Sequence, residues 1–169
     1  GTYSQVDDTH AHLNMPASFL WIRGLESLPM SVSFRLPPDS RWKAATQLFP
    51  TDNLLRFTAP NLQYFMDSPV ELSDHAVREW RVTPLSGSFP VRVAMHHQGS
   101  DAELDAYVEK LKRIVQQQVA VFGTTPQYDV RSYTFIADYL PWASGDGMEH
   151  RNSTTITSSR SLATSETAL

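Results

Sequence analysis

The sequence predicts an α+β fold that is rich in strands, with an antiparallel β-sandwich-like N-terminal part followed by a long amphipathic helix. Two observations predict this class: apolar and polar residues alternate in several segments of the first 97 residues, and one later segment carries apolar residues at helical spacing. The chain has 169 residues, of which 41% are hydrophobic and 19% are charged. This composition excludes a disordered chain and a charge-rich coiled coil.

Strands in the first part are predicted from a two-residue alternation of apolar and polar side chains. Met30, Val32 and Phe34 share one side of such a strand, and Ser31 and Ser33 share the other, as in a half-buried antiparallel strand. This alternation predicts the strand at 30–36, and a shared apolar face predicts one at 89–96. Residues that favour strands also predict strands or extended segments at 17–22, 42–49 and 77–82, with a short apolar helix at 62–66 and a turn at 84–88.

One long helix is predicted after Ser100. Ser100 and Glu103 have the spacing of a capping box, in which each side chain bonds the backbone amide of the other residue. Apolar residues follow at helical spacing as far as Phe122, and Gly123 occupies the place of a left-handed C-terminal residue. Strands are expected next at 131–140 and 148–157. The tail shows no core pattern, since ten of the 17 residues in 153–169 are Ser or Thr.

The charge balance and the absence of cysteine limit the partners and cofactors. Fourteen Lys and Arg against 18 Asp and Glu give a net charge of −4, without a basic cluster, so no nucleic acid partner is expected. The absence of Cys excludes disulfides, thiolate catalysis and Cys-ligated metals. Apolar stretches are far shorter than the roughly 20 residues of a membrane-spanning helix. We therefore expect a soluble chain without a membrane partner, and cytoplasm and periplasm both remain open.

Three clusters contain histidine and raise the question of a metal site: His10-Ala11-His12, His96-His97 and Glu149-His150. On a strand, residues 10 and 12 would share a face and could chelate an ion. Zinc catalysis needs three converging protein ligands, however, and the sequence has no His-Glu-x-x-His motif. We therefore expect no metal ligand in this chain and interpret these histidines as exposed or hydrogen-bonded residues beside turns.

The segment 145–153 is the best candidate for a binding site. Gly145 and Gly147 would let a second backbone come close, because glycine has no Cβ. If the segment forms a sheet edge, its backbone could bind an extended peptide by strand addition. Glu149 could then accept a charge-assisted hydrogen bond from the N-terminal ammonium of that peptide. The alternative is a loop in which Glu149 and Arg151 form a surface ion pair worth under about 1 kcal/mol.

A helix, an aromatic strand and a glycine-rich loop precede residues 147–153, which read Gly-Met-Glu-His-Arg-Asn-Ser. This order resembles the glycyl aminopeptidase family, zinc metallopeptidases that commonly carry a C-terminal PDZ domain. Members of that family typically have a glycine-rich run, then Leu or Met, then Glu-His-Arg-Asn-Ser. Segments similar to the N-terminal β domain of the family lie at 7–14, 42–46, 57–60 and 67–71, so the resemblance covers almost the whole chain.

The resemblance implies that the chain is an internal piece of a zinc aminopeptidase with a thermolysin-like catalytic domain. Residues 1–75 would be the end of the N-terminal β domain, and residues 76–169 the opening β/α part of the catalytic domain, built on a mixed sheet. The zinc helix would follow residue 169, so zinc is expected in the parent protein and neither metal nor catalytic residue in this piece. The piece alone is expected to be inactive, and the remainder of the catalytic domain would be its partner.

The resemblance also implies a set of substrate-binding residues. Glu149 would bind the free N-terminal amine of a peptide substrate. Gly145, Gly147 and Met148 would lie along the peptide backbone, and Asn152 would support the strand.

A second function hypothesis comes from the residues alone. The chain could be a non-catalytic β-sandwich module that binds a peptide or glycan through exposed aromatic residues such as Trp80 or Trp142. Against it stands the more common role of tryptophan as a large core residue.

Overall fold

The computed structural model of the chain describes residues 4–84 and 87–164. These residues form three sheets and three helices, and they confirm the predicted strand-rich α+β fold with antiparallel sheets, one long helix and a mixed sheet. The strands are β1 (Gln5–Val6), β2 (His10–Leu13), β3 (Met30–Ser33), β4 (Lys43–Thr46), β5 (Phe49–Pro50), β6 (Arg56–Ala59), β7 (Val70–Ser73), β8 (Ala76–Val82), β9 (Phe89–His97), β10 (Tyr133–Tyr139), β11 (Asp146–Glu149) and β12 (Ser153–Ser158), and the helices are α1 (Met15–Ser18), α2 (Leu62–Met66) and α3 (Asp101–Phe122).

Two antiparallel sheets build the first part of the chain. One has the strand order β1-β2-β7-β4 and the other β3-β6-β5. Both contribute to a single apolar core, in which Met15, Leu48 and Phe65 are almost completely buried. Strand β3 shows the predicted alternation, with Met30 and Val32 half-buried and the serines exposed. A core between two antiparallel sheets gives the sandwich-like arrangement that the sequence predicts.

The strand predicted at 17–22 is wrong. Residues Met15–Ser18 form α1, and Pro16 lies in its first turn, where the fixed φ of proline suits a helix and its missing amide costs no bond. The apolar residues after α1 are not paired in a strand, and Leu20 is 98% exposed. Residue types that favour strands could not by themselves separate this exposed apolar loop from a strand.

Two other predictions in the first part hold. The short helix at 62–66 is confirmed as α2, and the Asn61 side chain caps it by accepting a hydrogen bond from the Tyr64 amide at 2.9 Å. The extended segment at 42–49 is divided between β4 and β5, which belong to different sheets.

The second part is a five-stranded mixed sheet with the order β11-β12-β10-β9-β8. Strands β8 and β9 form the predicted antiparallel hairpin, whose turn residues 85 and 86 lie outside the described residues. Strand β10 is parallel to both β9 and β12, and β11 is antiparallel to β12. A parallel pair needs a long crossover connection, and α3 supplies it between β9 and β10.

Helix α3 is confirmed together with both of its predicted ends. The Ser100 hydroxyl accepts from the Glu103 amide at 3.3 Å, and the Glu103 carboxylate accepts from the Ser100 amide at 2.6 Å. Gly123 ends the helix in the left-handed conformation with φ 71°. The first half of the helix packs on the mixed sheet through buried apolar side chains, namely Leu104, Tyr107, Val108 and Leu111.

The single polar strand predicted at 148–157 is wrong, because the segment contains two strands. Strands β11 and β12 form a hairpin, and the turn between them is closed by a hydrogen bond from the His150 amide to the Ser153 carbonyl at 2.8 Å. The sequence predicted no core pattern for the Ser- and Thr-rich tail, but part of it forms β12. Ser153, Thr155 and Thr157 are buried in this strand. Threonine is β-branched and therefore suits this interior position.

Polar contacts join the two parts of the chain. The Gln47 side-chain amide donates to Thr134 Oγ1 at 2.8 Å in a buried position. On the β11–β12 turn, His150 Nδ1 lies 3.0 Å from Asp67 Oδ1, and the Arg151 amide donates to Asp67 Oδ2 at 3.1 Å. Within the described residues, no helix is long and apolar enough to cross a membrane.

Candidate functional site

The predicted binding segment lies at one edge of the mixed sheet. Strand β11 comes first in the strand order and pairs, within the described residues, with β12 alone, so that Gly147 lies opposite Ile156 and Glu149 opposite Thr154. Gly147 and Glu149 are exposed, whereas Asp146 and Met148 are half-buried. The segment therefore has one free strand edge and one solvent-facing row of side chains.

The two glycines of this segment do not have the conformation that requires glycine. Neither Gly145 nor Gly147 has a positive φ. A Cβ at Gly145 would meet no atom within 4 Å, and one at Gly147 would meet only the Thr155 carbonyl oxygen at 3.9 Å, an ordinary contact. The Gly147 amide donates to Asp146 Oδ1 at 2.9 Å. The space beside both glycines is open, and the Asp146 side chain bonds a backbone group of the edge strand.

Glu149 is exposed at the end of β11. Arg151, which the sequence offered as its surface partner, makes its contacts on the other side of the turn. Its Nη2 donates to Gln63 Oε1 at 3.2 Å, its Nη1 lies 3.8 Å from Asp129 Oδ2, and its guanidinium carbon lies 5.6 Å from the centre of the Tyr64 ring.

Asn152 fixes the turn that follows the edge strand. It is 2% exposed, and its side-chain amide donates to Tyr64 Oη at 3.0 Å and to Asp129 Oδ2 at 3.2 Å. Its side-chain oxygen, Oδ1, accepts from the Asp129 amide at 3.1 Å. One buried side chain thus ties the turn to helix α2 and to the loop before β10.

A second cluster, the buried histidine–carboxylate cluster, was not predicted as a site. It consists of His10 and His12 on β2, Glu71 on β7, His96 on β9 and Asp138 on β10. Strand register explains the proximity: His12 lies opposite Glu71 in the first sheet, and His96 lies opposite Asp138 in the mixed sheet. The two sheets face each other here, so four separate strands supply the cluster.

The distances in this cluster are short. His10 Nδ1 lies 3.3 Å from Glu71 Oε1, and His12 Nδ1 lies 3.1 Å from Glu71 Oε2 and 2.8 Å from Asp138 Oδ2. His10, Glu71 and Asp138 are 0% exposed, and His12 is 1% exposed. The expectation that residues 10 and 12 are exposed or bonded beside turns is therefore wrong in part: both are hydrogen-bonded, but they are buried on a strand.

In this cluster, burial favours the neutral form of each group, whereas hydrogen bonds between opposite charges favour the charged form, so the two effects shift each pKa in opposite directions. Burial opposes the charged form of His12, but hydrogen bonds to Asp138 and Glu71 outweigh it and raise the pKa of His12 to about 9. Burial likewise opposes ionisation of Glu71, yet its bonds to His10 and His12 bring its pKa below the ordinary value. Burial raises the pKa of Asp138, and the charge of Glu71 adds to this effect. A cationic group at the centre of the cluster would suit both carboxylates.

The donor types fit a divalent metal ion. His10, Glu71, His96 and Asp138 each offer one ligand atom, and these atoms all lie within 4.8 Å of one another. The signal that could have found them is the pattern His-x-His on a strand, since both side chains then face one side. Glu71, His96 and Asp138 are far away in the sequence, and only the strand register brings them together.

The two tryptophans of the alternative hypothesis differ in their surroundings. Trp80 is half-buried on β8 and packs against the apolar core under α3, with Lys112 Nζ 6.0 Å from its ring centre. Trp142 is 46% exposed in the loop before β11. Of these two residues, Trp80 thus has a core role and Trp142 offers an exposed ring.

An apolar groove of about 810 Å³ runs between the second half of α3 and the mixed sheet. Its walls are mostly aliphatic and aromatic, and they include Val91, Ile114, Val119, Phe122, Tyr133 and Phe135. Phe122, at the end of α3, is 74% exposed. The apolar face predicted for α3 is therefore buried only in its first half.

Comparison with known proteins adds information on both parts of the chain. Residues 1–74 match the family model described as the peptidase M61 N-terminal domain. No curated protein matches the chain. Among solved structures, the chain is similar to an aminopeptidase N family protein from Idiomarina loihiensis, with a TM-score of 0.69 and 23% identity; the similarity covers 91% of this chain and 26% of that one.

These matches support a peptidase-related region. The family match rests on the first part of the chain, whereas the structural likeness extends over both parts and shows the fold. The chain spans about a quarter of the length of the similar solved protein.

Proposed function

We propose that this chain is a region of a zinc-dependent aminopeptidase of the glycyl aminopeptidase type, which removes N-terminal residues from peptides. The region would contribute a substrate-docking strand and a carboxylate for the N-terminal amine. In this proposal residues 1–75 belong to the N-terminal β domain and residues 76–169 open the catalytic domain. The match of residues 1–74 to a peptidase N-terminal domain supports it.

The observation that carries the proposal is the free edge of β11. An extended peptide can add to such an edge by main-chain hydrogen bonds, and it needs room close to the strand backbone. Gly145 and Gly147 leave that room, since a Cβ at either position would meet no close neighbour. The peptide would have to replace the Asp146 side chain at the Gly147 amide, because that bond already exists in the chain.

Glu149 is placed to bind the free amine at the end of the docked peptide. Its side chain is exposed at the end of β11, on the same side as the open Gly147 position. A carboxylate and an ammonium make a charge-assisted hydrogen bond, which favours peptides with free N-termini over blocked ones. Asn152 would hold the turn behind Glu149 in place through its three buried hydrogen bonds.

Catalysis would need groups beyond this region. Zinc in a peptidase polarises the scissile carbonyl and activates water, and its usual His-Glu-x-x-His motif does not occur in this sequence. The chain alone is therefore proposed to be inactive. Its own residues would bind and orient the peptide, which contributes to rate by positioning the substrate.

The remainder of the catalytic domain is the proposed partner of the apolar groove beside α3. The solved protein of similar fold is about four times as long as the part that this chain matches, so further segments lie beyond it there. A groove of about 810 Å³ with walls such as Val119, Phe122 and Phe135 would suit the apolar face of such a segment.

The proposal is tested by peptide binding to the chain with Glu149→Gln. Nuclear magnetic resonance titration with a tripeptide should shift the amides of residues 145–149, and N-acetylation of the peptide should weaken binding. In the variant the free and acetylated peptides should bind equally, because the exposed charge contact, worth under about 1 kcal/mol, is lost. Glu79→Gln is the matched control, since Glu79 is an exposed glutamate on β8 at the opposite sheet edge.

The longer protein that contains this region gives the second measurement. Glu149→Gln should lower the turnover of peptides with free N-termini while the zinc content stays unchanged. Equal turnover in the variant and the parent, or equal binding of free and acetylated peptides by the chain, would contradict the assignment.

A further inference from the structure

We propose that the buried histidine–carboxylate cluster is a structural site for a divalent transition-metal ion, with zinc as the test ion. The ligands would be His10, Glu71, His96 and Asp138, and His12 would hold both carboxylates from behind. The site would join the first sheet to the mixed sheet. It is separate from the proposed peptide edge and needs nothing from the proposed function.

The spacing of the ligand atoms is the first support. Zinc bonds to nitrogen and oxygen are about 2.0 to 2.2 Å long, so neighbouring ligand atoms of a tetrahedral site lie about 3.4 Å apart. Glu71 Oε1 lies 3.3 Å from His10 Nδ1 and 3.8 Å from His96 Nδ1, and one ligand atom from each of the four residues lies within 4.8 Å of the others. Small side-chain movements would bring these atoms to the spacing of a metal site.

The chemistry of the ligands is the second support. Imidazole nitrogens and carboxylate oxygens are both ligand types that zinc accepts. Two ionised carboxylates also balance the double charge of the ion, which lowers the cost of burying it. Without an ion, Glu71 and Asp138 place two carboxyl groups in a region where both are 0% exposed.

The hydrogen bonds divide the carboxylate oxygens into two groups. Glu71 Oε2 and Asp138 Oδ2 both face His12 Nδ1, at 3.1 and 2.8 Å. Glu71 Oε1 faces His10 and His96 instead, and Asp138 Oδ1 is buried without a hydrogen-bond partner. His12 thus occupies the place of an outer residue that orients metal-binding carboxylates.

An unpaired nitrogen on His96 is the further support. His96 Nδ1 is buried and makes no hydrogen bond. Buried polar atoms are normally paired, and a metal ion would engage such a nitrogen. His96 is the most accessible member, with a side chain that is 14% exposed, and it marks the side from which an ion would enter.

Because the site is buried, a metal ion there would have a structural role and not a catalytic one. A catalytic zinc keeps one position open for water or substrate, whereas a structural zinc is surrounded by protein ligands. Three of the four ligands are 0% exposed and come from different strands of two sheets. A bound ion would therefore stabilise the contact between the sheets.

The test is zinc binding by the whole chain after removal of metals with a chelator. Elemental analysis after addition of zinc and gel filtration should find one equivalent per chain, and zinc should raise the thermal unfolding temperature. Cobalt(II), used in place of zinc, should give the intense visible bands of a tetrahedral site. Calorimetric titration gives the affinity.

His96→Gln is the informative variant, because His96 Nδ1 makes no hydrogen bond whose loss would disturb the fold. It should weaken zinc binding more than about tenfold and abolish the cobalt bands, while far-ultraviolet circular dichroism shows the parent spectrum. His97→Gln is the matched control: His97 is the next residue on β9 and faces the opposite side of the sheet.

Three results would overturn the site: no zinc bound at stoichiometric concentration, zinc bound without a change in unfolding temperature, or equal affinity in His96→Gln and His97→Gln. Because the readouts are metal content, spectra and stability, they stand whether or not Glu149 proves to bind peptide amines.

Discussion

The edge strand β11 and the buried histidine–carboxylate cluster both carry carboxylates, and the two regions differ in almost every physical respect. Glu149 is exposed on an edge strand and lies within one contiguous segment, 145–153. Glu71 is 0% exposed and is surrounded by histidines from other strands. A contiguous exposed segment can be recognised from sequence, and substitutions in it should change the free energy of unfolding little. A buried cluster assembled from five positions shows only its histidine pattern in the sequence, because its carboxylates are distant along the chain, and we expect the fold to depend on it.

The comparison is tested most strongly by neutralising each glutamate. Glu71→Gln should lower the free energy of unfolding by about 3 to 5 kcal/mol, because it leaves the charge of buried His12 with only one of its two carboxylate partners. Glu149→Gln should change it by less than about 0.5 kcal/mol, since its side chain is exposed. Urea unfolding at pH 7 with a chelator present measures both. Similar values for the two variants would remove the distinction between the regions.

His75 separates the effect of burial from that of ion pairing. It is 3% exposed beside the cluster, with Nδ1 3.3 Å from Ser73 Oγ, and burial lowers its pKa to about 4. Between pH 6.5 and 4 the unfolded chain therefore takes up a proton that the folded chain does not, and stability falls as the pH falls.

The full effect of this histidine is about 3 kcal/mol. His75→Gln should remove that part of the acid sensitivity, and the difference between parent and variant should grow as the pH drops from 6.5 to 4. Urea unfolding over this range measures it. If parent and variant lose stability in parallel, His75 is not buried in the neutral form.

Substitutions at Asn152 test how strongly the turn after the edge strand is held. Asn152→Ala removes three hydrogen bonds of one buried side chain and should cost about 1 to 3 kcal/mol in the free energy of unfolding. Asn152→Asp keeps nearly the same volume but loses both donors and faces Asp129, so it should cost at least as much. If both variants unfold like the parent, the turn behind Glu149 does not depend on these bonds.

Elements with local signals were predictable from the sequence. The capping box and Gly123 define both ends of α3, Asn61 caps α2, and the alternation in β3 gives its buried face. These signals act within a few residues, so no knowledge of the rest of the chain is needed.

The sequence predictions that were wrong concern segments whose structure depends on contacts with residues far away in the chain. The run 17–22 is apolar but has no partner strand, and the turn after Glu149 divides 148–157 because Asn152 is held by Tyr64 and Asp129. The buried cluster shows the same limit, since His12 meets Asp138 only through the packing of two sheets. Residue types at these positions were visible in the sequence, but their neighbours were not.

The strand order of the mixed sheet has a consequence for the sequence of events in folding. Strand β11 precedes β12 in the chain, yet β12 is the neighbour that joins it to the sheet. During synthesis, which runs from the N-terminus, residues 146–149 leave the ribosome before the strand that can hold them. The β11 edge would thus be among the last features of this region to form, after the Ser- and Thr-rich strand has been inserted beside β10.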